Sequence, residues 1–415
     1  MNAARPILLA ALLCLPLAAS GPAWAKKAPP PAKPVPTEAP KPAEIPGEKL
    51  PIALLTQATA NNPPTLPFFL PQPDDIGPQG ARLGIIDDNT TGRFTRQTFE
   101  LKEISLPTDG DAAAAFKQLL AEGHRHILVK LPADSVAALA KLPEAANVLI
   151  YDVGNSDDRL RGADCAANLL HLLPSRAMRA DALMQFLAKK RWQKIFLVVG
   201  PEAADALYAA AVKRAAQHFG VKIAAEKPWQ HSFGDRRTPE SEIPVFTQGV
   251  DYDVLVVADE AGTFGDLLAY RSWQARPVAG TQGLVPSAWH FTHEQWGAIQ
   301  LQNRFREQAK RWMAEADYAA WLAVRAIGEA ASRTKSTDFA KLKAFMLGSE
   351  FALAGFKGVP LSFRPWDGQL RQPVLLATER SLVAAAPLEG FLHQRNELDT
   401  LGVDQAESQC KTPPR

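Results

Sequence analysis

Cysteine is scarce, with 3 in 415 residues, and only Cys165 and Cys410 lie beyond the N-terminal leader. Two lone cysteines with no histidine at zinc-ligand spacing exclude a zinc finger or ribbon. Charge imbalance is equally small, at a formal +2, and no Lys/Arg-rich run carries interleaved aromatics. The chain therefore lacks the broad phosphate-neutralising face that nucleic acid requires. Neither GxSxG, HExxH, GxxxxGK[ST] nor a GxGxxG after a strand is present. Their absence removes the nucleophile elbow, the zincin helix, the phosphate loop and the dinucleotide fingerprint, and directs attention to binding rather than turnover. Beyond the leader, no stretch approaches the roughly 20 apolar residues of a membrane-spanning helix.

What is present starts with that leader. Arg5, an apolar run from Ile7 to Ala19 and the small-residue site Ala23-Trp24-Ala25 read as a secretory signal peptide over residues 1–25. Cys14 raises lipidation as a minor alternative, but the residue before it is not small. A Pro/Ala/Lys tract follows over 26–49; it has too little apolar content to build a core and reads as an extended tether. An exported compartment permits a Cys165–Cys410 disulfide, the alternative being two free thiols.

From Leu50 the pattern changes to short apolar runs alternating with longer amphipathic ones. "LPIALLTQ", "QTFELKEISL", "HRHILVKL" and "NVLIYDV" read as strands, with helices over "DGDAAAAFKQLLAEG" and "PADSVAALAKLPEAA". The rhythm restarts past Cys165 with "SRAMRADALMQFLAKKRW", "KIFLVVG", "PEAADALYAAAVKRAAQHFG" and "YDVLVVAD". Hydrophobic content of 47% and a length of 415 residues suit two cores. The fold class expected is α/β, with two Rossmann-like lobes, each a parallel sheet flanked by helices, joined by hinge crossovers. The divisions read as lobe 1 over 50–170, lobe 2 over 171–290, a return to lobe 1 over 291–345, a return to lobe 2 over 346–380, and a C-terminal tail over 381–415.

In open parallel sheets ligands bind beyond the carboxyl ends of the strands, and this selects loops without any motif. Lobe 1 then offers Lys130, Ser135, Asn155, Arg159 and Arg161; lobe 2 offers Gln282 and Trp289. Ser135, like Asp134, could instead cap its helix. Arg159 and Arg161 lie two apart in "SDDRLRGADC", and on an extended loop they would project together toward a carboxylate. Alternatively they pair with Asp157, Asp158 or Asp164. Trp289 could stack on a flat ligand or fill the core. No metal ligands are assigned.

The order of elements resembles the type I periplasmic solute-binding proteins, the Leu/Ile/Val-binding-like group that serves ABC transporters. The resemblance is carried by "IALLT", "GPQGARLGIIDDNTTG", "NLLHLLPSRAMRADALMQFLAKKRWQKIFLVVG", "DYAAWLAVRAIGEAA" and "GFKGVPLSFRPWDGQLRQPVLLA". Within the group, "DDRLRGADCAANLLHLLPSRAMRADAL" and "LSFRPWDGQLRQP" are similar to a subgroup found with PQQ-dependent alcohol oxidation. The resemblance implies a monomeric periplasmic protein with no cofactor and no catalysis. It would close two lobes over a small solute and present it to a membrane permease, the solute being PQQ itself or another molecule of that pathway. Amino-acid-binding members hold the ligand with a Ser/Thr-rich patch; the first loop here is Pro/Phe-rich instead. An amino acid, an aromatic acid or a sensory role is the alternative that the resemblance leaves open.

Overall fold

The computed structural model describes residues 47–58, 73–230 and 239–414. The stretch read as a signal peptide, most of the Pro-rich tract and the Phe68-Phe69 loop lie outside these residues.

Lobe 1 is built on five strands, β1 (Glu48–Gln57), β2 (Gln97–Leu106), β3 (His126–Lys130), β4 (Leu149–Asp152) and β5 (Leu169–His171). They pair in parallel in the order β2-β1-β3-β4-β5. β3 and β4 are buried on both faces, as near-continuous apolar runs in a parallel sheet must be. Register sets Thr56 opposite both Ser105 and Lys130, which brings the carboxyl ends flush on one edge. Helices α1 (Pro78–Thr95), α2 (Ala112–Ala121) and α3 (Ala133–Ala140) follow the first three strands. Asp111 caps α2 by accepting the Ala114 amide. The N-cap of α3 is Pro132, so neither Asp134 nor Ser135 caps it.

Lobe 2 opens with α4 (Arg176–Lys190), whose Ser175 cap accepts the Met178 amide at 3.2 Å. There follow β6 (Lys194–Val199), α5 (Ala203–His218), β7 (Lys222–Pro228), α6 (Pro239–Thr247), β8 (Val254–Ala258), α7 (Gly265–Arg271) and β9 (Val278–Gly280). The strands form a second parallel sheet in the order β7-β6-β8-β9. One face packs against α4 and α5, the other against α6 and α7.

The chain then crosses back through β10 (Val285–Ser287) to α8 (Ala298–Ala309), α9 (Glu315–Thr334) and α10 (Phe339–Met346). Residues of all three helices join the lobe 1 core. α9 lies directly on α1; a Cβ on Gly80 would fall 1.8 Å from the Asp317 carbonyl oxygen, so only glycine permits this approach. Next come β11 (Leu353–Ala354), β12 (Pro360–Phe363) and β13 (Leu370–Arg371), an antiparallel sheet with its turn at Trp366-Asp367-Gly368.

Two expected divisions need correction. The return to lobe 2 does not start at 346, because Phe351, Leu353, Leu361, Phe363 and Leu370 still belong to the lobe 1 core. It starts at β14 (Val374–Thr378), which pairs with β10 on one side and with β15 (Ser381–Ala386) on the other. Nor is 381–415 a loose tail, since Ala386 and Leu401 join the lobe 2 core. Asp399 takes Arg371 at 2.7 Å and Arg364 at 3.1 Å, and Cys410 is disulfide-bonded to Cys165. The sequence here is polar because charged groups are satisfied pairwise rather than by burial of a continuous apolar stripe.

Core membership shows the chain passing between lobes three times, between Leu173 and Met178, Leu284 and Ala288, and Leu370 and Val374.

Candidate functional site

Where the two sets of strand ends face each other, a cleft of about 410 Å³ opens. Lobe 1 lines it with Ala133 and the stretch Gly154-Asn155-Ser156-Asp157. Lobe 2 contributes Arg176, Arg179, Tyr208, Asp259, Glu260 and the Gly280-Thr281-Gln282 turn.

The lobe 1 wall is shaped by groups turned inward. Asp152, wholly buried at the end of β4, accepts the Gly154 and Asn155 amides at 3.1 Å each and the Asn155 side-chain amide at 2.9 Å. That folds the loop back over its own strand as an Asx turn. Asn155 also donates to the Leu131 carbonyl at 3.0 Å and so locks the β3 and β4 loops together. At the crossing, the Ser156 carbonyl receives the Arg176 amide at 2.9 Å. Both Asp158 oxygens receive the Ala177 amide at 3.2 Å, so the positive end of α4 already has its carboxylate.

The lobe 2 wall has the opposite character. Asp205, buried in the first turn of α5, holds the Glu260 amide at 2.7 Å and thereby sets the loop after β8. Glu260 in turn receives Arg176 through two hydrogen bonds of 2.7 and 2.6 Å. Arg179 reaches Glu315 at the start of α9, an ion pair between the lobes, and gives a further bond of 2.7 Å to the Pro286 carbonyl. Burial alone would push the Glu315 carboxyl up, but Arg179 holds it below its ordinary range. Asp259 is occupied by the Thr263, Phe264 and Gly265 amides at the head of α7. Among the residues that line the cleft two donors are left over: the Tyr208 hydroxyl and the Arg176 Nη1 are buried without a hydrogen-bond partner.

Of the residues chosen from sequence, Asn155 and Gln282 line the cleft. Gln282 donates to the Asp259 carbonyl at 2.9 Å and braces that turn. Lys130 stands beside the cleft with its stem 3.1 Å from where a Gly154 Cβ would sit, and burial lowers its pKa, countered in part by Asp317 and Asp74. Ser135 is half-buried within α3 and does not line the cleft.

Arg159, Arg161 and Trp289 are corrections. The segment Asp158–Arg161 winds into a 3-10 turn, not an extended loop, so the two arginines do not project together. Arg159 lies out on the surface against Asp134 at 2.5 Å and Asp164 at 3.3 Å. Arg161 points into the hinge and donates to Gln369 at 2.8 Å and to the carbonyls of Asp157, Asn155 and Leu173 at 2.9–3.0 Å. All three of its nitrogens are engaged by these acceptors, and it serves to stitch the crossings together. Trp289 is 2% exposed, bonds Gln302 at 2.9 Å and stacks on Tyr318, which makes it core.

Sequence reasoning missed Arg176, Arg179 and Tyr208. A usable signal existed for the arginines: two cations in the first turn of a helix oppose its dipole, and such a local conflict marks function. Tyr208 had none, being one aromatic in an alanine-rich helix that reads as core.

Among the described residues no cluster of three or more His, Cys, Asp or Glu is placed to hold a metal, and no helix is long and apolar enough to cross a membrane. A family described as periplasmic binding protein matches residues 98–237. No curated protein matches the sequence. Among solved structures, a branched-chain amino acid ABC transporter periplasmic ligand-binding protein from Burkholderia xenovorans is similar at a TM-score of 0.68 and 14% identity, covering 87% of this chain and 99% of that one. A branched-chain amino acid transporter substrate-binding protein from Streptococcus pneumoniae, in complex with isoleucine, has a TM-score of 0.59 at 16% identity over 81% and 99%. An ABC transporter solute-binding protein from R. palustris, in complex with benzoate, has a TM-score of 0.58 at 13% identity over 88% and 99%. At such identities the likeness establishes fold: two α/β lobes with parallel sheets flanked by helices, as in the type I periplasmic binding proteins.

Proposed function

We propose that this chain is the exported solute-binding component of an ABC importer. It closes two lobes over one small organic acid or amino acid and delivers it to a membrane permease, without turnover, bound cofactor or nucleic acid, and as a monomer. The observation that carries this reading is the cleft itself, formed where the carboxyl ends of both parallel sheets converge across three chain crossings. Binding energy would then be the difference between the open and closed arrangements of the lobes. The neighbours' ligands, isoleucine and benzoate, set the size and class of compound to try first. PQQ stays in the panel through the subgroup resemblance, although Arg159, Arg161 and Trp289, the residues read from sequence as facing a carboxylate or a flat ligand, are bonded elsewhere.

Native mass spectrometry of protein purified from its exported location tests the reading. A small acid carried through purification, with the same compound raising the melting temperature on re-addition, is the expected result. Protein that emerges free of any solute, and that no acid, amino acid or PQQ stabilises, would sink it.

A further inference from the structure

The solute-binding reading can be deepened to a chemical class, because the lobe 2 wall is left with donors that the protein does not answer. Tyr208 is 2% exposed and lines the cleft, yet its hydroxyl has no partner among the described residues. Arg176 gives Nε and Nη2 to Glu260, and its Nη1 is likewise buried and unpartnered in the same cleft. Folded proteins leave few such groups, because a buried donor without an acceptor loses its hydration and gains nothing. The neighbouring acceptors are taken: both Glu260 oxygens by Arg176, the Asp205 oxygens by the Glu202 and Glu260 amides, and Asp259 by the head of α7. The carboxylates on this wall thus already hold protein donors, and none stands unbonded to receive a cationic group. An acceptor oxygen would find two donors, one of them a guanidinium.

We propose that Arg176 and Tyr208 form a two-donor seat on the lobe 2 wall for a carboxylate of the solute, an inference that rests on the solute-binding reading above. A charged acceptor suits the pair better than a neutral carbonyl, since a guanidinium donates most strongly to an oxyanion. The Arg176–Glu260 and Arg179–Glu315 pairs each neutralise themselves, so the seat is not a diffuse positive patch. Asp157 faces it from lobe 1, and its carboxylate accepts only the Arg159 amide among the described residues. A solute that also carries an ammonium group would therefore bind more tightly than a plain acid.

The probes are L-leucine, benzoate and PQQ, with leucinamide and benzamide as neutral counterparts, read by calorimetry and thermal shift on the full mature chain. An acid that binds while its amide does not is the first expectation. Tyr208→Phe removes only the hydroxyl. It should weaken the bound acid about ten-fold or more, as expected for a hydrogen bond to a charged group, and leave the unliganded protein's melting temperature unchanged or higher. Arg176→Gln should weaken the same acid further. The seat is overturned if amide and acid bind alike, if Tyr208→Phe binds the acid as the parent does, or if that variant melts several degrees lower without ligand, which would show the hydroxyl bonded within the fold. If no acid in the panel binds, the seat is also overturned, while native mass spectrometry still decides whether another solute occupies the cleft.

Discussion

The two walls of the cleft are built on opposite plans. On lobe 1 the polar side chains near the solute space, Asp157 apart, turn away from it: Asp152 and Asn155 fold their own loops, and Arg161 ties down the hinge. On lobe 2 the same roles fall to Asp205, Asp259 and Gln282, and a second layer, Arg176 and Tyr208, is held over them with donors unmet. Lobe 1 thus supplies shape and rigidity, lobe 2 supplies chemistry. Substitutions on the first wall, Asp157 excepted, should act on stability, and those on the second on binding.

The largest effect is expected at Arg161. Arg161→Met keeps the length of the stem but removes every bond to Gln369, Asp157, Asn155 and Leu173, leaving buried acceptors unanswered at the crossing between lobes. A loss of about 3 kcal/mol or more in denaturant unfolding follows, since each orphaned buried group costs on the order of 1–3 kcal/mol. A variant as stable as the parent would show that lobe 1 does not clamp the hinge in this way.

A smaller effect separates the lobes by pH. His171 in lobe 1 is pushed down to about 4 by burial, with Arg161 adding to the shift and Asp152 opposing it. A depressed pKa means its contribution is present above the unfolded value of 6.5 and is lost as pH falls through 4. Asp181 in lobe 2 is pushed up to about 7 by burial, against the pull of Arg214. Its contribution is present below the unfolded value of 3.8 and is lost as pH rises through 7. Between pH 7 and 4 the parent should therefore lose stability relative to His171→Gln and gain it relative to Asp181→Asn, each by an amount on the order of 1–3 kcal/mol. Chemical denaturation of the three proteins across that range reads both slopes. Slopes of the same sign would remove the contrast.

The same division explains which features are legible in the amino-acid sequence and which are not. Runs such as "HILVK" and "VLVVA" are buried on both faces and show as strands because their apolar pattern is local. Cap residues Asp111 and Ser175 are legible for the same reason. The partners of Arg161 are not, because Gln369 is 208 positions away and the backbone carbonyls it reaches carry no sequence signature. Arg161 and Arg176 have equal standing as arginines near a strand end. Only the fold shows that one faces the hinge with its donors engaged and the other faces the cleft with one to spare. Tertiary pairing decides which charged residue is structural, and periodicity does not contain it.

The smallest effect is expected at Arg159, and it tests that last point directly. Its guanidinium is about half exposed and pairs with Asp134 and Asp164, both on lobe 1 and both outside the cleft lining. Exposed ion pairs contribute about 0–1 kcal/mol because solvent screens them and ordering two side chains opposes them. Arg159→Ala should therefore shift unfolding by no more than about 1 kcal/mol, and leave the affinity for any acid held by Arg176 unchanged to within about two-fold, which is under about 0.5 kcal/mol. A ten-fold loss in affinity at Arg159 with stability intact would place recognition on lobe 1 after all. The contrast between a wall that shapes and a wall that binds would then fail at the residue where it predicts nothing should happen.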